Sequence, residues 1–173
     1  MKVTMKRSYF PRHCWALSGI LVVMTWLVAC SASAQTPSIE GSYHIVSQQR
    51  ADGTVLKPPD IMGLCTYTKS HWNFNLVQKD AKGKFRSVSY VATYKLTATE
   101  YSETRLFRII NDQIGGQDIV YDLSSETRSV PVTMEGGRIQ YKSPFSRASL
   151  VFEGNTRIAT VEGEVVEVWE KVE

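Results

Sequence analysis

The chain has 173 residues, with 20 Lys and Arg against 17 Asp and Glu, three Cys, and 43% hydrophobic residues. Four basic residues (Lys2, Lys6, Arg7 and Arg12) and no acidic one precede Cys30, which leaves 16 basic against 17 acidic residues from there on. Positive charge is thus a property of the N-terminus alone, and the near-neutral remainder excludes the basic surface of a nucleic-acid-binding protein.

The N-terminus reads as an export signal, 1–29. Its basic start is followed by a mostly apolar run with Leu17, Ile20, Leu21, Val22, Val23 and Leu27. At about 16 residues this run is shorter than the roughly 20 of a membrane span. Two processing patterns follow. Ala32-Ser33-Ala34 is an A-x-A site that would release a soluble periplasmic or secreted protein from Gln35. Leu27-Val28-Ala29-Cys30 resembles the lipobox of bacterial lipoproteins, which implies lipidation at Cys30 and attachment to a membrane. Ser31, in place of an Asp, resembles the pattern of lipoproteins sent on to an outer membrane. The lipid anchor is the preferred expectation, with simple secretion as its alternative. Cys14 leaves with the signal and Cys30 is lipidated or lost, so Cys65 stands alone in the domain, where a strand neighbourhood of Leu64 and Tyr67 suits a small buried hydrophobe.

Residues 30–38 are small and polar, a flexible tether. The domain, 39–173, opens with a strand in which Tyr43, Ile45 and Ser47 share a face against His44 and Val46. Asp52-Gly53 signals a turn, and Lys57-Pro58-Pro59-Asp60 a loop, because proline cannot donate to a sheet ladder. From Gly63 to Phe107 the pattern is alternation, turn, alternation, turn, alternation. Trp72, Phe74 and Leu76 point one way and His71, Asn73 and Asn75 the other. Gly83 marks a hairpin. Val88, Tyr90, Ala92, Tyr94 and Leu96 form the next apolar face, and Tyr101, Glu103, Arg105, Phe107 and Ile109 alternate with their neighbours. Further strand candidates are 118–123, 128–135, 138–142, 148–153, 156–161 and 164–172, with turns at Gly136-Gly137, Gly154-Asn155 and Glu162-Gly163. No window has helical periodicity. Eight to ten strands with short connections predict an all-β fold. A sandwich would satisfy this spacing, but an antiparallel up-and-down barrel also removes the edge strands.

The order Gly41-Ser42-Tyr43, Asp52-Gly53, Met62-Gly63-Leu64, His71-Trp72-Asn73-Phe74, Ala81-Lys82-Gly83-Lys84, Thr93-Tyr94-Lys95-Leu96, Tyr101-Ser102-Glu103-Thr104 and Val168-Trp169-Glu170-Lys171-Val172 resembles the bacterial lipocalin-like domains. These are small barrels related to the lipocalins and fatty-acid-binding proteins, and the resemblance covers about residues 39–172. Tyr43 stands where lipocalins prefer Trp. Lys171 stands where the last motif often has Arg, and lysine cannot stack a planar guanidinium on a ring. The segment 111–131 exceeds what the pattern requires. The resemblance implies a barrel around a cavity for one small, largely apolar or amphipathic ligand, with no cofactor.

The candidate ligand-binding residues are Trp72, Phe74, Tyr90, Tyr94, Tyr101, Glu103, Arg105 and Phe107. The aromatics either line a cavity or fill the barrel as ordinary core. Glu103 and Arg105 either point inward, where they need partners, or their strand buries its other face, with Leu106 and Ile110. His44 and His71 lack metal-ligand spacing, no nucleophile turn is present, and neither Gly-Gly pair opens a helix. The expectation is a non-enzymatic binding protein of the cell envelope, with a filled barrel that contacts a partner as the alternative and an enzyme third.

Overall fold

The computed structural model describes residues 38–172. The signal segment, Cys30, the A-x-A site and the tether up to residue 37 lie outside the described residues. All regular structure within them is strand: β1 (Gly41–Arg50), β2 (Val55–Leu56), β3 (Ile61–Tyr67), β4 (His71–Lys79), β5 (Phe85–Leu96), β6 (Glu100–Asn111), β7 (Ile119–Asp122), β8 (Thr127–Glu135), β9 (Arg138–Lys142), β10 (Ser149–Glu153), β11 (Thr156–Val161) and β12 (Val165–Lys171). Ten of them follow one another in an antiparallel meander, and β12 pairs back onto β1 to close a barrel. The two short strands are extras. β2 pairs with β1, and β7 extends the sheet beside the second half of β6, whose first half pairs with β8. The long 111–131 connection therefore carries a strand of its own.

Alternation explains the strands and local chemistry explains the corners. At the β4–β5 hairpin the Asp80 carboxylate accepts the backbone N–H groups of Lys82 and Lys84, and Gly83 takes φ 75°, which a side chain would disfavour. Closure satisfies the edges that a sandwich would expose. Residues 36–173 form a compact unit whose first and last strands hydrogen-bond to each other, so the segment carries its own core and closure, which are the physical requirements for folding on its own.

Two bulges change which residues face inward. In β1, Ile45 pairs with Trp169 but Ser47 pairs with Val168, so Val46 is an extra residue. Tyr43 and Ile45 point inward as the alternation predicts, but beyond the bulge Gln48, not Ser47, is the buried residue. In β6, Ala92 pairs with Arg105 and Val91 with Phe107, leaving Leu106 as the extra residue. Directly paired residues share a face, so past this bulge Arg108, opposite the inward Tyr90, takes the interior place that strict alternation would give Phe107.

The interior has two unlike halves. Toward the β3–β4, β5–β6 and β10–β11 turns it is packed with rings. Tyr101 stacks on Tyr141 at 4.2 Å, Tyr94 on Tyr101 at 5.7 Å, and Tyr67 on Trp72 at 5.3 Å. Tyr43 and Phe152 meet edge to face at 5.8 Å. This end is solid. The half toward the β4–β5, β9–β10 and β11–β12 connections is not.

Candidate ligand-binding cavity

A cavity of about 270 Å³ occupies that second half. Its walls are the inward positions of consecutive strands: Trp72, Phe74 and Leu76 of β4, Val88 and Tyr90 of β5, Leu150 of β10, and Ala159 and Val161 of β11. Each is two residues from the next on its strand, which is why alternation alone builds an apolar wall. The β9–β10 loop lays Phe145 over the mouth, with the guanidinium groups of Arg105 and Arg128 each 4.8 Å from its ring centroid. Arg128 also donates to the Pro144 carbonyl at 3.2 Å, and Arg105 pairs with Asp122 at 3.0 Å. The mouth loop is thus pinned by cation–π contacts to strands β6 and β8.

The polar groups of the interior gather at the cavity floor. Glu103 is 3% exposed. The Tyr90 hydroxyl donates to its Oε1 and the Tyr101 hydroxyl to its Oε2 at 2.7 Å. Burial pushes the carboxyl pKa up, these hydrogen bonds oppose the push, and burial wins. Burial and then the adjacent carboxylate in turn drive the Tyr90 phenol far above its usual value. Glu167 of β12 accepts from Gln48 Nε2 at 3.0 Å and from Trp169 Nε1 at 3.1 Å. Arg157 of β11 is 3% exposed and lies over the Trp169 ring, 5.2 Å from its centroid.

The structure brings Trp72, Phe74, Tyr90, Glu103 and Arg105 together around this space. Tyr94 and Tyr101 lie beneath it in the ring-packed end, where the Tyr94 hydroxyl donates to the Thr68 carbonyl. Burial, first of all, lifts the Tyr94 phenol to about 12. Phe107 is on the outward side, opposite Val91, because of the β6 bulge. Glu103 and Arg105 do face inward, as one of the two expectations had it. Sequence reasoning missed Arg108, Phe145, Arg157 and Glu167. Arg157 could have been suspected, since it shares a period of two with Ala159 and Val161. The stacked arginine that Lys171 could not supply is present after all, contributed by β11, while Lys171 lies over Tyr43 at 5.9 Å.

Cys65 is fully buried and burial lifts its thiol to about 11, the state of an inert core cysteine. His44 and His71 are exposed on the outer face. Among the described residues no three metal-ligating side chains converge. Comparison of the chain with protein-family models, with curated proteins and with solved structures found no match.

Proposed function

We propose that the chain is an exported, lipid-anchored, lipocalin-like barrel that holds one small hydrophobic or amphipathic molecule at the cell envelope. The observation that carries this reading is the half-empty interior: an apolar cavity of about 270 Å³ above a floor of rings in a barrel of ten strands. Small-molecule sites are concave and mostly apolar with a few placed polar groups, and run from about 300 Å³ upward, so this one suits a compact ligand. The closed antiparallel barrel agrees with the lipocalin-like resemblance as far as architecture goes. On this reading the barrel carries its cargo and performs no chemistry on it. Anchorage through Cys30 at an outer membrane belongs to the same proposal, with release at Ala34 as its alternative.

A second reading, a partner-binding envelope protein, draws on the outer wall. There Ile119, Val120, Tyr121 and Leu123 on and after β7 are 40, 57, 60 and 72% exposed, an apolar strip of the kind that interaction surfaces use. Native mass spectrometry of residues 36–173 purified from the natural host separates the two. A reproducible added mass, lost on organic extraction, is the outcome expected of a carrier. A bare protein mass, together with no change in intrinsic tryptophan fluorescence on titration with compact amphipathic probes such as octanoate and octan-1-ol, would sink the carrier reading and leave the partner-binding one.

A further inference from the structure

One stretch of the barrel wall departs from the polar pattern of the rest. Directly paired residues share a face, so the outward rungs across β5, β6 and β7 run Val91–Phe107, Ser89–Ile109–Tyr121 and Ser87–Asn111–Ile119. Apolar side chains therefore continue across this face to its rim, where Ile119, Tyr121 and, just past the strand, Leu123 are exposed. Val120, on the other face of β7, is exposed too. The far edge of the strand is also open, because among the described residues β7 pairs with β6 alone. A bare edge is a template for another strand, and proteins usually guard it with Lys, Pro or a bulge. Ile119-Val120-Tyr121 has none of these. The strand lies in segment 111–131, the part of the chain that exceeds the lipocalin-like pattern, so the feature is this chain's own.

We propose that β7 binds β7 of a second copy, antiparallel about a twofold axis through the Val120–Tyr121 centre, so that two barrel walls join through one added ladder. This rests on the partner-binding reading above and names its partner; it does not depend on what the cavity holds. Symmetry favours a second copy. An antiparallel pair of identical strands is self-complementary, and a twofold contact uses both open edges at once and closes. Charge agrees. Arg105 neutralises Asp122 at 3.0 Å, and antiparallel pairing sends the two Asp118 carboxylates to opposite ends of the ladder, away from its uncharged centre. The same acidic flanks disfavour an anionic lipid surface. Area sets the strength. The exposed parts of Ile119, Val120, Tyr121 and Leu123 amount to roughly 450 Å² per copy. The pair thus buries roughly 900 Å² of them, below the about 1,200 Å² at which stable complexes begin. The dimer is therefore weak and reversible, with a dissociation constant on the order of 10 to 100 μM. On the proposed anchoring, confinement of both copies to one membrane raises their effective concentration.

Sedimentation equilibrium of residues 36–173 between about 1 and 300 μM brackets that constant. The expected mass rises from one chain toward two and no further. Tyr121→Lys sets like charges against each other near the axis and is expected to weaken association about tenfold or more. Tyr121→Glu is expected to do the same, and an equimolar mixture of the two variants to regain it. Asn75→Lys, on the polar wall, is expected to leave it unchanged. A dimer that survives Tyr121→Lys at full strength overturns the assignment to β7, and growth beyond two chains overturns the closed twofold. Should neither Tyr121 variant fold, amide hydrogen exchange of the wild type decides. Protection at residues 119–122 that rises with concentration supports the proposal, and protection independent of concentration overturns it. A monomer throughout also overturns it. A photo-cross-linking residue in place of Tyr121, in the full chain in its natural host, then separates that failure from failure of the partner-binding reading. An adduct with a different protein preserves that reading, and no adduct sinks it together with the proposal.

Discussion

Glu103 shows what a barrel interior does to a single side chain. Its strand neighbours Tyr101 and, across the sheet, Tyr94 are core, so the pleat carries the carboxyl inward with them, and two phenols then supply the hydrogen bonds that water would have made. The accommodation is incomplete, because the folded state raises the carboxyl pKa above its ordinary 4.5. The sign follows from linkage. Between the unfolded and the raised folded value the native state holds the extra proton, so stability is fully present below about 4.5 and is lost as pH rises through the folded value. Glu103→Gln removes that titration. The variant is expected to be less stable than the wild type by about 1–2 kcal/mol at pH 4, for the disturbed phenol contacts, and the gap is expected to narrow at pH 7. Urea unfolding of residues 36–173 at both pH values checks this, and a gap that widens with pH contradicts it.

At the scale of the element, period-two patterning found nearly every strand, since one wet and one dry face leave that signature in the residues themselves. Trp72, Phe74 and Leu76 on β4 and Val88, Tyr90 and Ala92 on β5 needed nothing else. The bulges were not legible. An extra residue at Val46 or Leu106 conforms to no pattern, because the register that defines it belongs to the partner strand, and so Ser47 and Phe107 were read one position away from the residues that face inward. Nor could alternation tell that β12 would pair with β1, which depends on how far the whole sheet coils. Arg157 escaped for a different reason: a charged residue on a short strand reads as solvent-facing unless its stacking partner, a dozen residues away in Trp169, is known. Close approach between strands is equally invisible in the sequence but testable. Gly63 faces inward on β3, and a Cβ there would meet Leu76 Cδ1 at 2.8 Å, Trp169 Cη2 at 2.9 Å and the Asn75 carbonyl oxygen at 3.0 Å. Trp169 is fully buried and the carbonyl belongs to the ladder, so neither yields easily. Gly63→Ala is expected to cost about 1–3 kcal/mol through overpacking, read as a lower urea midpoint at unchanged slope. A neutral outcome would mean that the Trp169 ring, and the Arg157 stack on it, can shift.

For the whole molecule, the wall of the barrel bears on how it meets a membrane. Outward positions carry His71, Asn73 and Asn75 on β4, Ser87, Ser89, Thr93 and Lys95 on β5, and Arg138, Gln140 and Lys142 on β9, while Trp72, Phe74, Tyr90, Tyr94 and Tyr141 on the same strands face inward. This is the reverse of a membrane-spanning barrel, whose outer face is an apolar band flanked by aromatic girdles. Among the described residues no helix is long and apolar enough to cross a membrane, and the near-neutral charge after Cys30 gives little electrostatic attraction to anionic lipid. On the proposed anchoring, attachment rests on acyl chains at Cys30, and several chains hold firmly where one holds only marginally. In the natural host the full chain is expected to fractionate with membranes and the Cys30→Ala variant with the soluble proteins, at a lower intact mass by the missing acyl groups. If the variant stays with the membranes at unchanged mass, the anchor is wrong. The apolar β7 strip or a bound partner would then have to hold the barrel there, because its polar wall cannot.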